Sequence, residues 1–268
     1  MKMLLHIFAH FFILIVITPN GRPGQIAQLQ SLFVMSDKIA QSEEEEMLDW
    51  LPPNISTFGG DIDKFFYVIY YITTTVFFLV TGTLIYFLIK YRSKEGRPAK
   101  YSHGNTTLEV VWTTVTFLAM LILAFASKPV WSTIKQTLPP ADVVVQVTGK
   151  QFNWEILYPG PDTIFGTEDD YQIDNNLHVP VNKVVRIILK SHDVIHSFFV
   201  PALRLKQDAV PGREILAWFE ATQTGKYEIP CAELCGFGHS GMLGYLFVHS
   251  PEEHEQWVHE TWPDAHTD

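Results

Sequence analysis

Two uninterrupted apolar runs organise the first half of the chain. From Phe65 to Ile89 there are 25 positions without a charge, and from Val110 to Ser127 there are 18. A helix of about 20 apolar residues crosses a bilayer core, so the first run spans it with room to tilt. The second is near the lower limit and is extended toward residue 130 by Pro129 and the interfacial Trp131. Together they predict an antiparallel transmembrane hairpin within 61–135, with spans of about 65–89 and 110–130. A third run, Leu4 to Thr18, is shorter, follows a lysine and stops at Pro19-Asn20-Gly21. That order is the one expected of a signal peptide over 1–20. No small-x-small cleavage site follows it, which leaves an uncleaved helix as the alternative.

After Ala141 the period changes. Asp142 to Gly149, Gln151 to Tyr158, Asn182 to Leu189, Glu214 to Glu220, Gly225 to Ile229 and Tyr245 to Val248 are short runs rich in β-branched and aromatic residues, separated by Pro and Gly. They predict an all-β sandwich over 136–250, and roughly 110 residues suits one such domain. The tail 251–268 carries Trp257 among acids and histidines at the spacing of a short amphipathic helix.

Composition and charge orient these parts. The chain is 47% hydrophobic, and its mean hydropathy of +0.09 is high for a water-soluble protein of this length. Lys90, Arg92, Lys94, Arg97 and Lys100 face only Glu95 between the two runs. The positive-inside rule therefore places that loop in the cytoplasm. The acidic tail at 21–60, with Glu43 to Glu46 in succession, and everything beyond about residue 135 then lie outside, in the periplasm of a bacterium. Trp50 to Gly60 breaks structure before the first span and offers a surface for a partner subunit. The formal net charge is −10, which disfavours nucleic acid and suits a basic protein partner. Asp162, Glu168, Asp169, Asp170 and Asp174 form an acidic loop that is either solvated surface or a steering patch.

The chemistry concentrates in Cys231-Ala-Glu-Leu-Cys-Gly-Phe-Gly-His-Ser-Gly-Met242, which holds the only two cysteines. Soft thiolate and thioether donors beside imidazole select copper. Gly236, Gly238, Gly241 and Gly244 oppose a helix, so the segment reads as a loop between two strands. A disulfide and a zinc site are the competing readings of the cysteines alone. His196, in Asp193-Val-Ile-His196-Ser, supplies a second imidazole from upstream and favours copper. No Cys-x-x-Cys-His occurs, so no covalently attached c-type haem is expected.

The combination Cys-x-Glu-x-Cys-x-x-x-His-x-x-Met, preceded by Asp-x-x-His-Ser, resembles the binuclear CuA signature of subunit II of the haem-copper cytochrome c oxidases. The resemblance extends over roughly residues 50–250. It implies a two-helix transmembrane hairpin followed by an all-β cupredoxin-like Greek-key sandwich. It also implies two copper ions bridged by Cys231 and Cys235, with His196 and His239 as imidazole ligands and Met242 and the Glu233 carbonyl as weak donors. The Glu233 side chain would hold a magnesium ion shared with subunit I.

Glu109, in Glu-x-x-Trp, matches the family's glutamate at the mouth of a proton pathway, while also complementing the dipole of the second helix. Thr116 stands where many members have proline, which affects the helix bend. Phe152 falls where the family carries the tryptophan that receives electrons, and Trp154 matches a second family tryptophan; core packing is the competing role of both. Asp208 and Arg213 match a supporting segment beside the subunit I interface. The implied function is acceptance of electrons from cytochrome c and their delivery to haem in subunit I, where oxygen is reduced to water and protons are pumped. Subunit III is a further implied partner, and a bacterial inner membrane the implied location. A membrane-tethered copper-delivery protein is the rival reading. A quinol oxidase subunit of the same fold should lack the cysteines.

Overall fold

The computed structural model describes residues 51–98, 101 and 103–263. The expected signal peptide and most of the acidic tail lie outside the described residues. Helix α1 spans Gly59–Lys90 and α2 spans Thr106–Trp131. Both outrun the uncharged stretches, because polar residues fit helix ends. Asp61 and Lys90 complement the α1 dipole, and the Asn105 side chain caps α2 by accepting from the Leu108 amide. Along both helices the large apolar side chains point outward, uncovered by this chain, as lipid or partner subunits require. Thr116 lies within α2 and donates its hydroxyl to the Trp112 carbonyl at 2.8 Å. The irregularity comes later, where Pro129 precedes a π-helical turn at Ser132–Gln136.

The sandwich is assembled around β1 (Val143–Lys150). It pairs antiparallel with β2 (Asn153–Tyr158) and parallel with β5 (Val184–Ser191). The edges of that sheet are β3 (Tyr171–Asp174) and β8 (Ile215–Glu220). Opposite it, β10 (Leu243–His249) lies between β4 (Asn176–Pro180), to which it is parallel, and β9 (Gly225–Pro230). A ribbon of β6 (His196–Val200) and β7 (Leu205–Ala209) completes the domain. The architecture is the expected transmembrane pair followed by a cupredoxin-like sandwich.

Alternation drives the packing. Val145 and Val147 of β1, Val185, Ile187 and Leu189 of β5, and Leu246 of β10 are fully buried, and their neighbours along each strand face outward. Each such side chain contributes roughly 1.5–3 kcal/mol on leaving water. Strands β3, β4, β6 and β7 were not among the expected runs, and Asp174 of the acidic loop sits on β3.

The segment before α1 departs from the expected solvated tail. Ile55 is fully buried, Phe58 nearly so, and Ser56 forms a bridge with Ala221. Residues 53–58 thus pack against this chain's own sandwich, with the Ile55 amide donating to the Ala202 carbonyl at 2.9 Å. Three further ties fix the helices to the domain. Arg204 grips Asp63 through two hydrogen bonds, of 2.7 and 3.1 Å; the Trp218 indole donates to the Ile134 carbonyl; and Lys135 donates to the Gln207 side chain. After β10, Ser250 and Glu253 form a capping box that starts α3 (Pro251–Thr261), the expected C-terminal helix.

Candidate metal centre

The cysteine segment forms the loop between β9 and β10. Its backbone is pinned where it begins and ends: the Cys231 amide donates to the Met242 carbonyl at 3.0 Å, and the Ala232 amide to the Ser197 carbonyl at 3.0 Å. Gly236 adopts φ +137°, a conformation that side-chain-bearing residues rarely take. A short 3-10 turn at His239–Gly241 then swings His239 back toward Cys235.

Six donors meet there. The Cys231 and Cys235 sulfurs are 3.9 Å apart. That is nearly twice a disulfide bond length, and both thiols are free. His196 Nδ1 lies 3.9 Å from Cys231 Sγ, and His239 Nδ1 lies 3.6 Å from Cys235 Sγ. The Glu233 carbonyl is 3.3 Å from Cys231 Sγ, and Met242 Sδ is 3.8 Å from Cys235 Sγ. Each cysteine therefore has its own imidazole and its own weak donor. Two ligands bonded to one ion at about 2.0–2.3 Å, in tetrahedral or trigonal array, stand about 3.5–4 Å from each other. The observed spacings fit that relation. His196, Cys231 and Cys235 also bring their ligand atoms within 4.8 Å of one another, all three residues being buried. The donor set, with two thiolates, two imidazoles and a thioether, suits copper better than a hard cation.

One positioning residue carried no assigned role in the sequence reading. Asp193 Oδ1 accepts from His196 Nε2 at 2.7 Å, which leaves Nδ1 aimed at Cys231. The Asp-x-x-His spacing was the available signal. Burial pushes the Asp193 carboxyl up, but hydrogen bonds from His196 and from the Val194 and Gln151 amides outweigh it and hold it below the usual range. Burial, and then Cys231 alongside, push the Cys235 thiol up to about 11. Metal must therefore displace a proton from it. Gly149 is a spatial requirement here, since a Cβ on it would lie 2.8 Å from the His196 ring.

The other expected site residues separate. Phe152 is 38% exposed and lies over the loop, where a Cβ on Gly238 would approach its ring to 2.5 Å. The adjacent Gln151 side chain donates to the Cys235 carbonyl at 2.6 Å. Trp154 is completely buried, edge-on to His196 and Phe198, with its indole donating to the Ile229 carbonyl. Phe152 is therefore accessible from the surface and Trp154 is not. The Glu233 side chain points outward while its carbonyl faces Cys231. Asp208 accepts from Ser197 Oγ at 2.7 Å, next to His196, whereas Arg213 is exposed in the turn after β7. Glu109 occupies the first turn of α2, far along the chain from the metal loop. Exposed Leu234, Phe237 and Ile195 surround the centre with an apolar face.

Comparison with known proteins gives a consistent answer. Residues 148–246 match the family model for the periplasmic domain of cytochrome c oxidase subunit II, and residues 47–130 match the model for its transmembrane domain. A probable cytochrome c oxidase subunit 2 of Rickettsia bellii is 32% identical over 80% of this chain and 85% of its own. An alternative cytochrome c oxidase subunit 2 of Bradyrhizobium diazoefficiens is 31% identical over 79% and 83%. Among solved structures, the periplasmic domain of subunit II of the Bradyrhizobium japonicum cytochrome oxidase is 34% identical, covering 47% of this chain and 98% of its own, with a TM-score of 0.42.

Proposed function

This chain belongs to the cytochrome c oxidase subunit II family, and from that membership we propose that it is the electron-accepting subunit of a respiratory terminal oxidase, taking electrons from cytochrome c and passing them to haem in subunit I. The observation that carries the reading is the paired donor set: Cys231 with His196 and the Glu233 carbonyl, Cys235 with His239 and Met242. These residues would hold two copper ions. When bound, a thiolate-bridged copper pair supplies a one-electron carrier whose charge change is spread over both ions.

The protein's own contribution is rigidity and exclusion of water. Cys231, Cys235 and Met242 are all at most 8% exposed, and the loop is tied to β6 and β10. Asp193 fixes the His196 tautomer, so this ligand has no rotation to undergo when charge arrives. The apolar face around Phe152 and Phe237 provides a docking surface, and the acidic composition of the outer domain favours a basic cytochrome c. The outward Glu233 carboxylate is placed to take a hard cation such as magnesium at the boundary with subunit I. Glu109 serves the mouth of a proton pathway in that subunit, and Asp208 and Arg213 support the same boundary. Subunit III completes the complex in a bacterial inner membrane, with the sandwich in the periplasm, and the complex couples oxygen reduction to proton translocation.

Copper stoichiometry and electron paramagnetic resonance on the full chain reconstituted with copper test the central claim. Two equivalent spin-3/2 nuclei sharing one unpaired electron give seven hyperfine lines, and Cys231→Ser should abolish them together with the second copper. One exchangeable, silent copper(I) per chain would instead indicate copper delivery.

A further inference from the structure

Where α1 and α2 meet the sandwich they leave a groove of about 640 Å³, within the usual range for a small-molecule site. Its lining is mostly apolar and includes Phe65, Ile69 and Phe125. Lys128, Lys135 and Lys206 also reach it, from the last turn of α2, the π-helical turn and β7. Such a cluster is notable in a chain of formal charge −10. Neither Lys128 nor Lys135 is ion-paired among the described residues; Asp208 pairs with Lys206 at 4.0 Å and acts on Lys135 from further off. Arg204 also lines the groove but is committed to Asp63, so it frames the cavity.

We propose that this groove binds one anionic phospholipid from the leaflet on the sandwich side, its acyl chains against Phe65, Ile69 and Phe125 and its phosphate among Lys128, Lys135 and Lys206. The charge separation matches an amphiphile lying parallel to the helices: apolar toward the bilayer, cationic at the level where α2 leaves it. Lysines near a membrane surface strengthen the attraction for anionic lipid by roughly fivefold each. A zwitterionic lipid would fill the apolar lining equally well but gain little from the lysines. The site would brace the junction between hairpin and sandwich independently of the copper loop.

The test is native mass spectrometry of the full chain in neutral detergent, titrated with dioleoyl phosphatidylglycerol or dioleoyl phosphatidylcholine. One phosphatidylglycerol should be retained per chain under conditions that strip phosphatidylcholine, and K128Q/K135Q/K206Q should lower its affinity by at least about tenfold. The single exposed variant Lys128→Gln should cost about fivefold with copper load unchanged, which separates lost charge from lost fold. Equal retention of the two lipids, or unchanged binding in the triple variant, would overturn the proposal. So would a photocrosslinker at Ile69, in the assembled oxidase, that captures another subunit instead of lipid.

Discussion

Strand β10 has histidines near both of its ends, and the two groups are used in opposite ways. At its start, one residue after Met242, His196 and His239 face thiols. About 20 Å away, at its end, His249 meets His178 and His254. His196 gives one ring nitrogen to a carboxylate and keeps the other for a sulfur. His178 instead spends Nδ1 on His249 Nε2 at 2.8 Å, and its ring is stacked between Phe247 at 4.7 Å and Trp257 at 5.0 Å. A histidine oriented by a carboxylate keeps one ring nitrogen free to face a sulfur or a metal. Among other imidazoles and aromatic rings it becomes a packing piece, here joining α3 to the outer face of the sheet.

Exchanging the damage between the two ends tests that distinction most severely. His196→Ala should eliminate the two-copper spectrum and the copper-dependent rise in melting temperature, because anything that binds only the folded chain stabilises it by mass action. His178→Ala should leave both intact. A copper load that fell comparably in the two variants would collapse the distinction. A smaller effect is expected from Trp257→Ala, which removes the ring covering His178 and the contact with Tyr158 at 5.1 Å. Since Trp257 is only partly buried, the loss should be about 2–3 kcal/mol, below the usual range for a core tryptophan. Urea unfolding would measure it, with copper stoichiometry unaffected.

The same contrast explains what could be read from the sequence. Cysteine, histidine and methionine donors from 231 to 242 are neighbours in the chain, so their chemistry was visible before any fold. His196 lies 35 residues from Cys231 and was recognisable only through its Asp-x-x-His setting and the family resemblance. His178, His249 and His254 meet only because β4 runs parallel to β10 in one register, with His178 opposite Phe247, and no local pattern announces that. Phe152 and Trp154 are two apart, which within one strand would place them on one face. However, β2 begins at Asn153, so Phe152 belongs to the preceding turn and lies outside while Trp154 lies inside. Ile55 and Phe58 sit among Asn, Ser, Thr and Gly with no period, and they meet partners far along the chain, Ile55 the Ala202 carbonyl and Phe58 the Trp218 ring.

The gentlest probe of the comparison is acid. Burial, followed by the neighbouring imidazoles, lowers the pKa of His178 and of His254 to about 4. Burial also lowers that of His249, against a small opposing pull from Glu253. In the unfolded chain these rings protonate near pH 6.5. Between the two values the unfolded state binds more protons than the native one, so stability must fall as pH drops from about 6.5 toward 4. Copper release would add its own acid dependence at the other end of β10, because the metal competes with protons for thiolate and imidazole. The slope should therefore be measured in the metal-free Cys231→Ser background. There, His178→Phe should flatten the decline, since it removes the group on which burial and both neighbouring imidazoles act while preserving a ring against Trp257. An unchanged slope in that double variant would mean that the three rings are not the groups taking up the protons.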